Sequence, residues 1–330
     1  MKGFIFVPMI LLTGATGFLG SQVLRDLLKA KIPVKALKRK TSKVPSDLQD
    51  ANWVDGDVGD YFEIEKLLSN VDTIIHSAAI VSFLPSERKK MMQCNVEGTA
   101  NIVNAALATK VKRLIHVSSI AAIGENDDKS PSTENTEWKF SPKSSGYSVS
   151  KYLSENEAWR GSEEGLDVLV VNPSIIIGPT HNWRSGTGAL FRKVQKGLTH
   201  YPMGTVGWVD VRDVSRAIVA LYNSKIVNQR YILNATNESY KNVFTEMATN
   251  LDMPIPMKPL TPLKIRFLVI YDRIRSVLLN KNKRFTKNNM NSSSKTLTFS
   301  ASKIEKELAF KFTPLSQTIA ETCSALIASK

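Results

Sequence analysis

Tyr147 and Lys151 stand four residues apart in a segment with a helical pattern, so their side chains are predicted to share one face of a helix. A free tyrosine has a pKa of about 10 and is a poor acid or base at neutral pH, but a nearby ammonium group favours the phenolate. The spacing therefore predicts a tyrosine that transfers a proton. Ser118 and Ser119 follow the apolar strand Leu114 to Val117, where a hydroxyl can hold a substrate oxygen.

Gly14, Gly17 and Gly20 lie where an apolar strand passes into a helix. Without side chains at such a turn, the backbone can approach a pyrophosphate closely, and the helix N-terminus faces the negative charge. The Gly-x-x-Gly-x-x-Gly spacing is one residue wider than the commonest dinucleotide fingerprint. Combined with Tyr147 and Lys151, this glycine clamp predicts hydride transfer involving a dinucleotide.

The segment Leu37 to Lys40 occupies the position that selects between the two nicotinamide dinucleotides. An acidic residue about 20 positions beyond the glycines binds the adenosine ribose of NAD, whereas a basic residue accommodates the 2′-phosphate of NADP. Lys38 and Arg39 stand there and no carboxylate does. We therefore predict NADP(H), with NAD(H) as the alternative.

Short apolar runs alternate with helical patterns from Met9 onward, which is the rhythm of βαβ units. We predict an α/β fold, a Rossmann-type doubly wound parallel sheet with a smaller, discontinuous C-terminal substrate domain. The dinucleotide-binding domain is assigned to residues 9–173 and 206–235, the substrate domain to residues 174–205 and 236–330, and residues 1–8 to an upstream extension. The predicted strands are Met9 to Thr13, Val34 to Leu37, Asn52 to Val54, Thr73 to His76, Arg113 to Val117, Asp167 to Val171 and Arg230 to Leu233.

The composition limits the cellular setting and the partners. The chain has 330 residues, and Cys94 and Cys323 are its only cysteines, too few for a disulfide framework or a metal cage, so we expect a cytoplasmic protein without a metal site. The net charge of +14 comes from dispersed lysines and arginines without a nucleic-acid recognition module, which argues against a nucleic-acid partner. The sequence contains two basic clusters, Lys35 to Lys43 and Lys281 to Lys287. We interpret the second as a solvated face or loop.

The segment Leu263 to Leu279 is apolar at helical spacing with basic residues interleaved. We interpret it as a helix that covers the substrate domain in preference to one that lies on a membrane surface. The sequence contains no apolar run long enough for a membrane-spanning helix.

These motifs resemble the extended branch of the short-chain dehydrogenase/reductase superfamily, which includes the NAD-dependent epimerase/dehydratase family, and the resemblance covers nearly the whole sequence. The closest pattern is that of reductases similar to dihydroflavonol reductase and 3β-hydroxysteroid dehydrogenase. The matching motifs are Thr13 to Gly20, Gly56 to Val58, His76 to Ala79, Asn95 to Thr99, Val117 to Ser119, Tyr147 to Lys151, and Asn172-Pro173 followed by Gly178-Pro179.

The resemblance implies roles for the matched residues. Ser119, Tyr147 and Lys151 would be catalytic, with Lys151 binding the nicotinamide ribose and lowering the pKa of Tyr147. Ser119 matches the catalytic hydroxyl of the family better than Ser118, because it lies five residues before Gly124, as the family pattern requires. Together with Lys38 and Arg39 after the second strand, the resemblance gives this set of predicted cofactor-binding residues: Gly14, Thr16, Gly17, Phe18, Leu19, Gly20, Lys38, Arg39, Asp57, Val58, Ala78, Ala79, Asn95, Ser118, Pro173, Ser174 and Ile175.

The implied activity is NADP(H)-dependent reduction of a ketone or aldehyde to an alcohol, or the reverse. A nucleotide-sugar epimerase or dehydratase with bound NAD is the alternative, but Val206 and Asn172 stand where such enzymes often carry arginine. A cofactor-binding sensor without turnover is a second alternative, which the complete catalytic set disfavours.

Four further side chains fall in segments expected to border a pocket for a small carbonyl or alcohol substrate. They are Phe83, His181, Trp183 and Tyr201, and each could equally belong to the core. Relatives commonly pair the helices that carry Asn95 and Tyr147 across a twofold axis, so a homodimer is expected by analogy.

Overall fold

The apolar runs form a seven-stranded parallel sheet in this computed structural model, which describes residues 8–142, 144–261, 263–267, 270, 272 and 293–329. The strands, including those of two smaller sheets, are β1 (Ile10–Thr13), β2 (Val34–Lys38), β3 (Trp53–Asp55), β4 (Thr73–His76), β5 (Arg113–Val117), β6 (Asp167–Pro173), β7 (Ile175–Ile177), β8 (His200–Tyr201), β9 (Thr205–Asp210), β10 (Gln229–Leu233), β11 (Thr236–Ser239) and β12 (Lys258–Pro259). The large sheet has the order β10-β6-β5-β4-β1-β2-β3.

Helices cover both faces of the large sheet. The described helices are α1 (Phe18–Lys29), α2 (Tyr61–Leu67), α3 (Arg88–Met92), α4 (Gly98–Ala108), α5 (Gly146–Glu163), α6 (Gly186–Gln195), α7 (Val211–Asn223), α8 (Tyr240–Asn250), α9 (Ser302–Glu307) and α10 (Leu315–Ala328). Every residue of the central strands β1 and β4 is buried, as expected for a parallel sheet with helices on both sides. The predicted doubly wound fold is confirmed.

Two apolar clusters hold these layers together. Leu24 of α1 and Leu221 of α7 lie in the cluster on one side, and Ile102 of α4 and Val168 of β6 lie in the cluster on the other. Burying one such side chain stabilises a fold by about 1.5–3 kcal/mol, so both helical layers are firmly anchored.

The strand order reverses between β1 and β4, which are neighbours in the sheet although two strands separate them in the chain. In open α/β sheets a ligand crevice forms at the carboxyl ends of the strands beside this switch point. The glycine clamp follows β1, and Ser118 and Ser119 follow β5, the next strand beyond β4. The topology thus brings the glycine clamp and the two serines to the same edge of the sheet, at the carboxyl ends of its strands.

Two small sheets, β11-β9-β7 and β12-β8, lie beside the large one. A third apolar cluster contains Trp208 of β9, Phe191 of α6, Phe244 of α8 and Ile319 of α10, so these elements form one packed unit. The assignment of residues to two domains stays a prediction.

Some predicted features lie outside the described residues, namely most of the N-terminal extension and the basic cluster Lys281 to Lys287. Residues 263–267, 270 and 272 are helical, and Ile265 and Asp272 are buried as expected for a helix covering the protein. On the same segment Leu263, Phe267 and Ile270 are exposed, so the expected packing of its apolar side chains holds only in part. None of the described helices has the length and hydropathy that crossing a bilayer requires.

Candidate active site

Tyr147 lies in the first turn of α5, which begins where the side chain of Ser145 accepts a hydrogen bond from the backbone N–H of Ser148. This cap fixes the residue at which the helix starts, and Ser148 Oγ donates to the carbonyl of Ala121 shortly after β5. Burial raises the pKa of the Tyr147 phenol, and a hydrogen bond from the Ser119 side chain opposes that shift. The structure therefore brings Ser119 and Tyr147 together.

Lys151 is buried one turn farther along α5. Its Nζ donates a hydrogen bond of 2.7 Å to the carbonyl oxygen of Val117, the last residue of β5. Burial lowers the pKa of Lys151 to about 8, although the carboxylate of Glu155 acts in the opposite direction. The ammonium is thus held at the edge of the sheet from which Ser119 also extends.

Asn95 lies in a π-helical turn, Gln93–Glu97, between α3 and α4. Its amide accepts from the backbone N–H of Ile80 at 2.8 Å and donates to the carbonyl of Ile80 and to Ser150 Oγ, both at 3.0 Å. Turns of this kind often mark functional sites. Asn95 thereby ties the loop after β4 to α5 beside Lys151.

His76 joins the glycine clamp to this turn, a connection that reasoning from the sequence missed. Thr13 Oγ1 lies 2.7 Å from His76 Nδ1, and His76 Nε2 lies 3.0 Å from Thr99 Oγ1. The Thr13 oxygen also accepts from the backbone N–H of Ala78, and Thr99 Oγ1 donates to the carbonyl of Asn95. Burial lowers the pKa of His76 to about 3, so the ring is neutral at physiological pH. The sequence signal for this connection was a histidine at the end of a buried strand.

The glycine clamp has the geometry that a pyrophosphate requires. Gly14 has φ +68°, and a Cβ there would lie 2.7 Å from the backbone nitrogen of Ala78. A Cβ on Gly20 would lie 2.1 Å from the carbonyl oxygen of Gly14. Gly17 is exposed, and α1 has neither a side-chain cap nor an acidic residue in its first turn. The backbone N–H groups there suit an anion, so the clamp fits a dinucleotide.

The other residues of the clamp divide between packing and exposure. The side chain of Leu19 belongs to the core, and Thr16 and Phe18 are half-buried at the start of α1. After β4, Ala78 is half-buried and Ala79 is exposed. Leu19 can therefore contribute only its backbone to a ligand.

The two basic residues after β2 differ in their surroundings. Lys38 forms an ion pair of 2.5 Å with Asp55, whereas Arg39 is exposed and has no ionic partner among the described residues. Arg39, Asp57 and Lys151 are all close enough to Cys94 to influence the pKa of its thiol. Three residues predicted to bind the cofactor therefore lie near one side chain.

Several residues that are predicted to bind the cofactor are buried or form hydrogen bonds within the protein. The side chain of Val58 is buried against Gly98, and its carbonyl accepts from Asn101. Ser174, between Pro173 and Ile175, is buried and donates to the carbonyl of Leu233. The buried hydroxyl of Ser118 has no hydrogen-bond partner in the described part of the chain. Ser118 is thus the one of these side chains with unused hydrogen-bonding capacity.

The four predicted substrate residues do not share one site, although Trp183 and Tyr201 both pack in the third apolar cluster. The ring of Phe83 packs edge-on against Tyr147 with a centroid distance of 5.6 Å. Trp183 is buried in the third apolar cluster, and Tyr201 lies 6.0 Å from the ammonium of Lys241. His181 is exposed, and partial burial of its ring lowers its pKa, with Arg25 of α1 adding to the shift and Asp47 opposing it. Of the four, only Phe83 is found in ring contact with a predicted catalytic residue.

A cavity of about 400 Å³ lies beside Phe83. Its lining includes Arg88, Met91, Phe140 and Gly146. Within the described residues, no cluster of His, Cys, Asp or Glu side chains has an arrangement that could hold a metal ion.

A family model, the NAD dependent epimerase/dehydratase family, matches residues 10–234. The chain belongs to this family. It is an NAD(P)-dependent enzyme of the extended short-chain dehydrogenase/reductase type, as its motifs predicted. The matched range begins at β1 and ends just after β10, so it contains the whole seven-stranded sheet.

Curated relatives within this family include reductases. A putative dihydroflavonol 4-reductase of Synechocystis sp. is 29% identical over 318 residues, which are 94% of this chain and 92% of the relative. Cinnamoyl-CoA reductase 1 of Petunia hybrida is 26% identical over 96% of this chain and 91% of the relative. The crystal structure of gox2253 is 27% identical and superimposes with a TM-score of 0.83 over 97% of this chain and 98% of that one.

Proposed function

We propose that this protein is an NADP(H)-dependent oxidoreductase that reduces a ketone or aldehyde to an alcohol, or catalyses the reverse reaction. The observation that carries the proposal is the convergence of Ser119, Tyr147 and Lys151 at the carboxyl end of β5. It is supported by the reductase relatives, which align with nearly the whole chain.

The proposed chemistry assigns one task to each of these side chains. Ser119 and Tyr147 hold the carbonyl oxygen of the substrate, and bound NADPH supplies a hydride to the carbonyl carbon. Tyr147 then gives its phenolic proton to the oxygen, which leaves a phenolate. Burial alone raises the pKa of Tyr147, so the positive charge of Lys151 is needed to stabilise that phenolate.

Lys151 is suited to this task because its position is fixed. One of the three ammonium N–H bonds points at the carbonyl of Val117, and the proposal assigns the remaining two to the Tyr147 oxygen and a ribose hydroxyl. Such positioning lowers the barrier without a large rearrangement during the reaction.

The choice of NADP(H) rests on Arg39. Asp55 neutralises Lys38, whereas Arg39, the first residue after β2, is exposed and available for a 2′-phosphate. Val206 is buried within β9, where it has no means of binding the phosphate of a nucleotide sugar. Both features favour a reductase over an epimerase.

Purified protein with NADPH and a panel of aldehydes and ketones tests the proposal, with loss of NADPH absorbance as the readout. We expect turnover of at least one carbonyl compound and release of the cofactor by gel filtration. Tightly copurifying NAD together with conversion of a nucleoside diphosphate sugar would instead identify an epimerase. Cofactor binding without turnover of any panel compound would identify a sensor.

A further inference from the structure

Glu155 is a buried carboxylate for which the proposed chemistry has no direct use. It is 3% exposed and lies one helical turn beyond Lys151 on α5. Its Oε1 accepts from Arg230 at 3.0 Å and from the indole of Trp159 at 3.3 Å, and its Oε2 accepts from Asn172 at 2.8 Å. Burying a charge is costly, and a pair such as Glu155 and Arg230 often adds little stability over apolar residues of similar volume. A role in the active site would account for its presence.

Asn172 connects this carboxylate to the catalytic serine. It is fully buried at the end of β6, and its Nδ2 donates both to Glu155 and to the backbone carbonyl of Ser119, the latter at 3.0 Å. Its Oδ1 has no partner among the described residues. Turning the amide over would place that oxygen against two acceptors, so the network permits one orientation. Glu155 thereby fixes the amide that holds the Ser119 backbone.

The same carboxylate opposes the effect of burial on Lys151. Burial is the main influence lowering the pKa of Lys151 to about 8, and Glu155 is the larger of the two groups that raise it, the other being Cys94. His76 and His116 face the ammonium from β4 and β5, but burial holds the pKa of both below its usual range, so both are neutral. Because residues i and i+4 of a helix are neighbours, the Glu155 carboxylate lies on the face that carries Lys151.

We propose that Glu155 is a positioning residue of the active site, which fixes the Ser119 backbone through Asn172 and supplies the countercharge that keeps Lys151 protonated. This inference rests on the proposed function for its kinetic consequences. Its electrostatic part concerns the protein without cofactor or substrate and is testable separately.

Two substitutions of Glu155 separate the two roles. Glu155→Gln keeps the length and an acceptor oxygen but loses the charge, so the alkaline limb of the kcat/KM profile moves to lower pH by roughly one unit. Glu155→Asp keeps the charge but is too short to hold Asn172, so kcat falls roughly tenfold while the alkaline limb stays in place. Asn172→Ala has the same expected result as Glu155→Asp.

Glu157→Gln is the matched control, because Glu157 lies on the same helix but pairs with Arg160 at the protein surface. It leaves kcat and the pH profile unchanged. If Glu155→Gln does not fold, Glu155→Gln combined with Arg230→Met removes the charge without leaving an unpaired cation and replaces it in the comparison.

The titration of Lys151 is also followed by NMR of ¹³C-labelled lysine in the protein without cofactor. A lower pKa in Glu155→Gln than in wild type supports the electrostatic role even if no carbonyl compound is reduced, an outcome that refutes only the proposed function. An unchanged Lys151 titration, or wild-type kcat and KM in Glu155→Asp and Asn172→Ala, overturns the inference while carbonyl reduction by the wild type stands.

Discussion

Lys151 donates a hydrogen bond of 2.7 Å to the carbonyl oxygen of Val117, so the ammonium of α5 is fixed to the last residue of β5. Ser118 and Ser119 follow that residue directly, and Tyr147 lies one turn before Lys151. This contact therefore links β5, which the two serines follow, to the helix that carries the tyrosine.

Tyr147→Phe removes the phenolic proton and leaves the ring contact with Phe83. We expect kcat to fall by at least about 10²-fold, since general acid catalysis contributes on that order, while the affinity for NADPH stays within twofold of wild type. Steady-state kinetics and cofactor titration by fluorescence measure the two quantities. Tyr152→Phe is the control, because Tyr152 stacks on Trp138 instead; retained turnover in Tyr147→Phe would remove the catalytic assignment.

Arg39→Asp removes the exposed cation at the end of β2. The dissociation constant for NADPH should rise about tenfold or more, because a hydrogen bond to a charged group contributes about 1.5 kcal/mol, while that for NADH should not rise. Calorimetric titration of both cofactors gives the comparison. Lys38→Gln should have a smaller effect, since Lys38 is already paired with Asp55; an equal loss for NADPH and NADH would show that Arg39 does not read the 2′-phosphate.

Phe83→Ala and Trp183→Ala should affect different properties. Phe83 is 42% exposed and lies against Tyr147, so its loss raises KM for a carbonyl substrate with little change in stability. Trp183 is 8% exposed within an apolar cluster, so its truncation lowers the free energy of unfolding by about 3–5 kcal/mol. Kinetics and urea unfolding distinguish the variants, and a raised KM for a folded Trp183→Ala but not for Phe83→Ala would reverse the assignment.

The loss of folding stability at low pH should depend in part on His76. Its pKa is about 3 in the folded protein against 6.5 ordinarily, so the unfolded chain takes up a proton first as the pH falls. The stability from keeping the ring neutral is complete above about pH 6.5 and is lost as the pH falls towards about 3, at up to about 1.4 kcal/mol per pH unit. His116 acts in the same direction.

Urea unfolding at a series of pH values measures this slope. His76→Gln should show a shallower decline over the same range than wild type, and His200→Gln, at a half-buried site in the two-stranded sheet, should show the wild-type slope. Identical slopes in His76→Gln and wild type would mean that the ring is not held neutral by the fold.

The sequence by itself determined the sheet, the clamp and the catalytic candidates. The strands Thr73–His76 and Arg113–Val117 have the predicted bounds, because local apolar periodicity specifies them. The four-residue spacing from Tyr147 to Lys151 suffices to place both on one helical face, whatever the rest of the fold.

Only the tertiary structure decided which distant groups meet. The neutral link through His76, the pairing of Lys38 with Asp55, and the network from Glu155 through Asn172 to Ser119 join residues of different strands and helices. The tertiary structure also placed Phe83 against Tyr147 and Trp183 in the core, although both are aromatic residues in loop-like segments. Local pattern cannot specify such contacts, because they depend on how the sheet order brings strand ends together and on which side chains the packing buries.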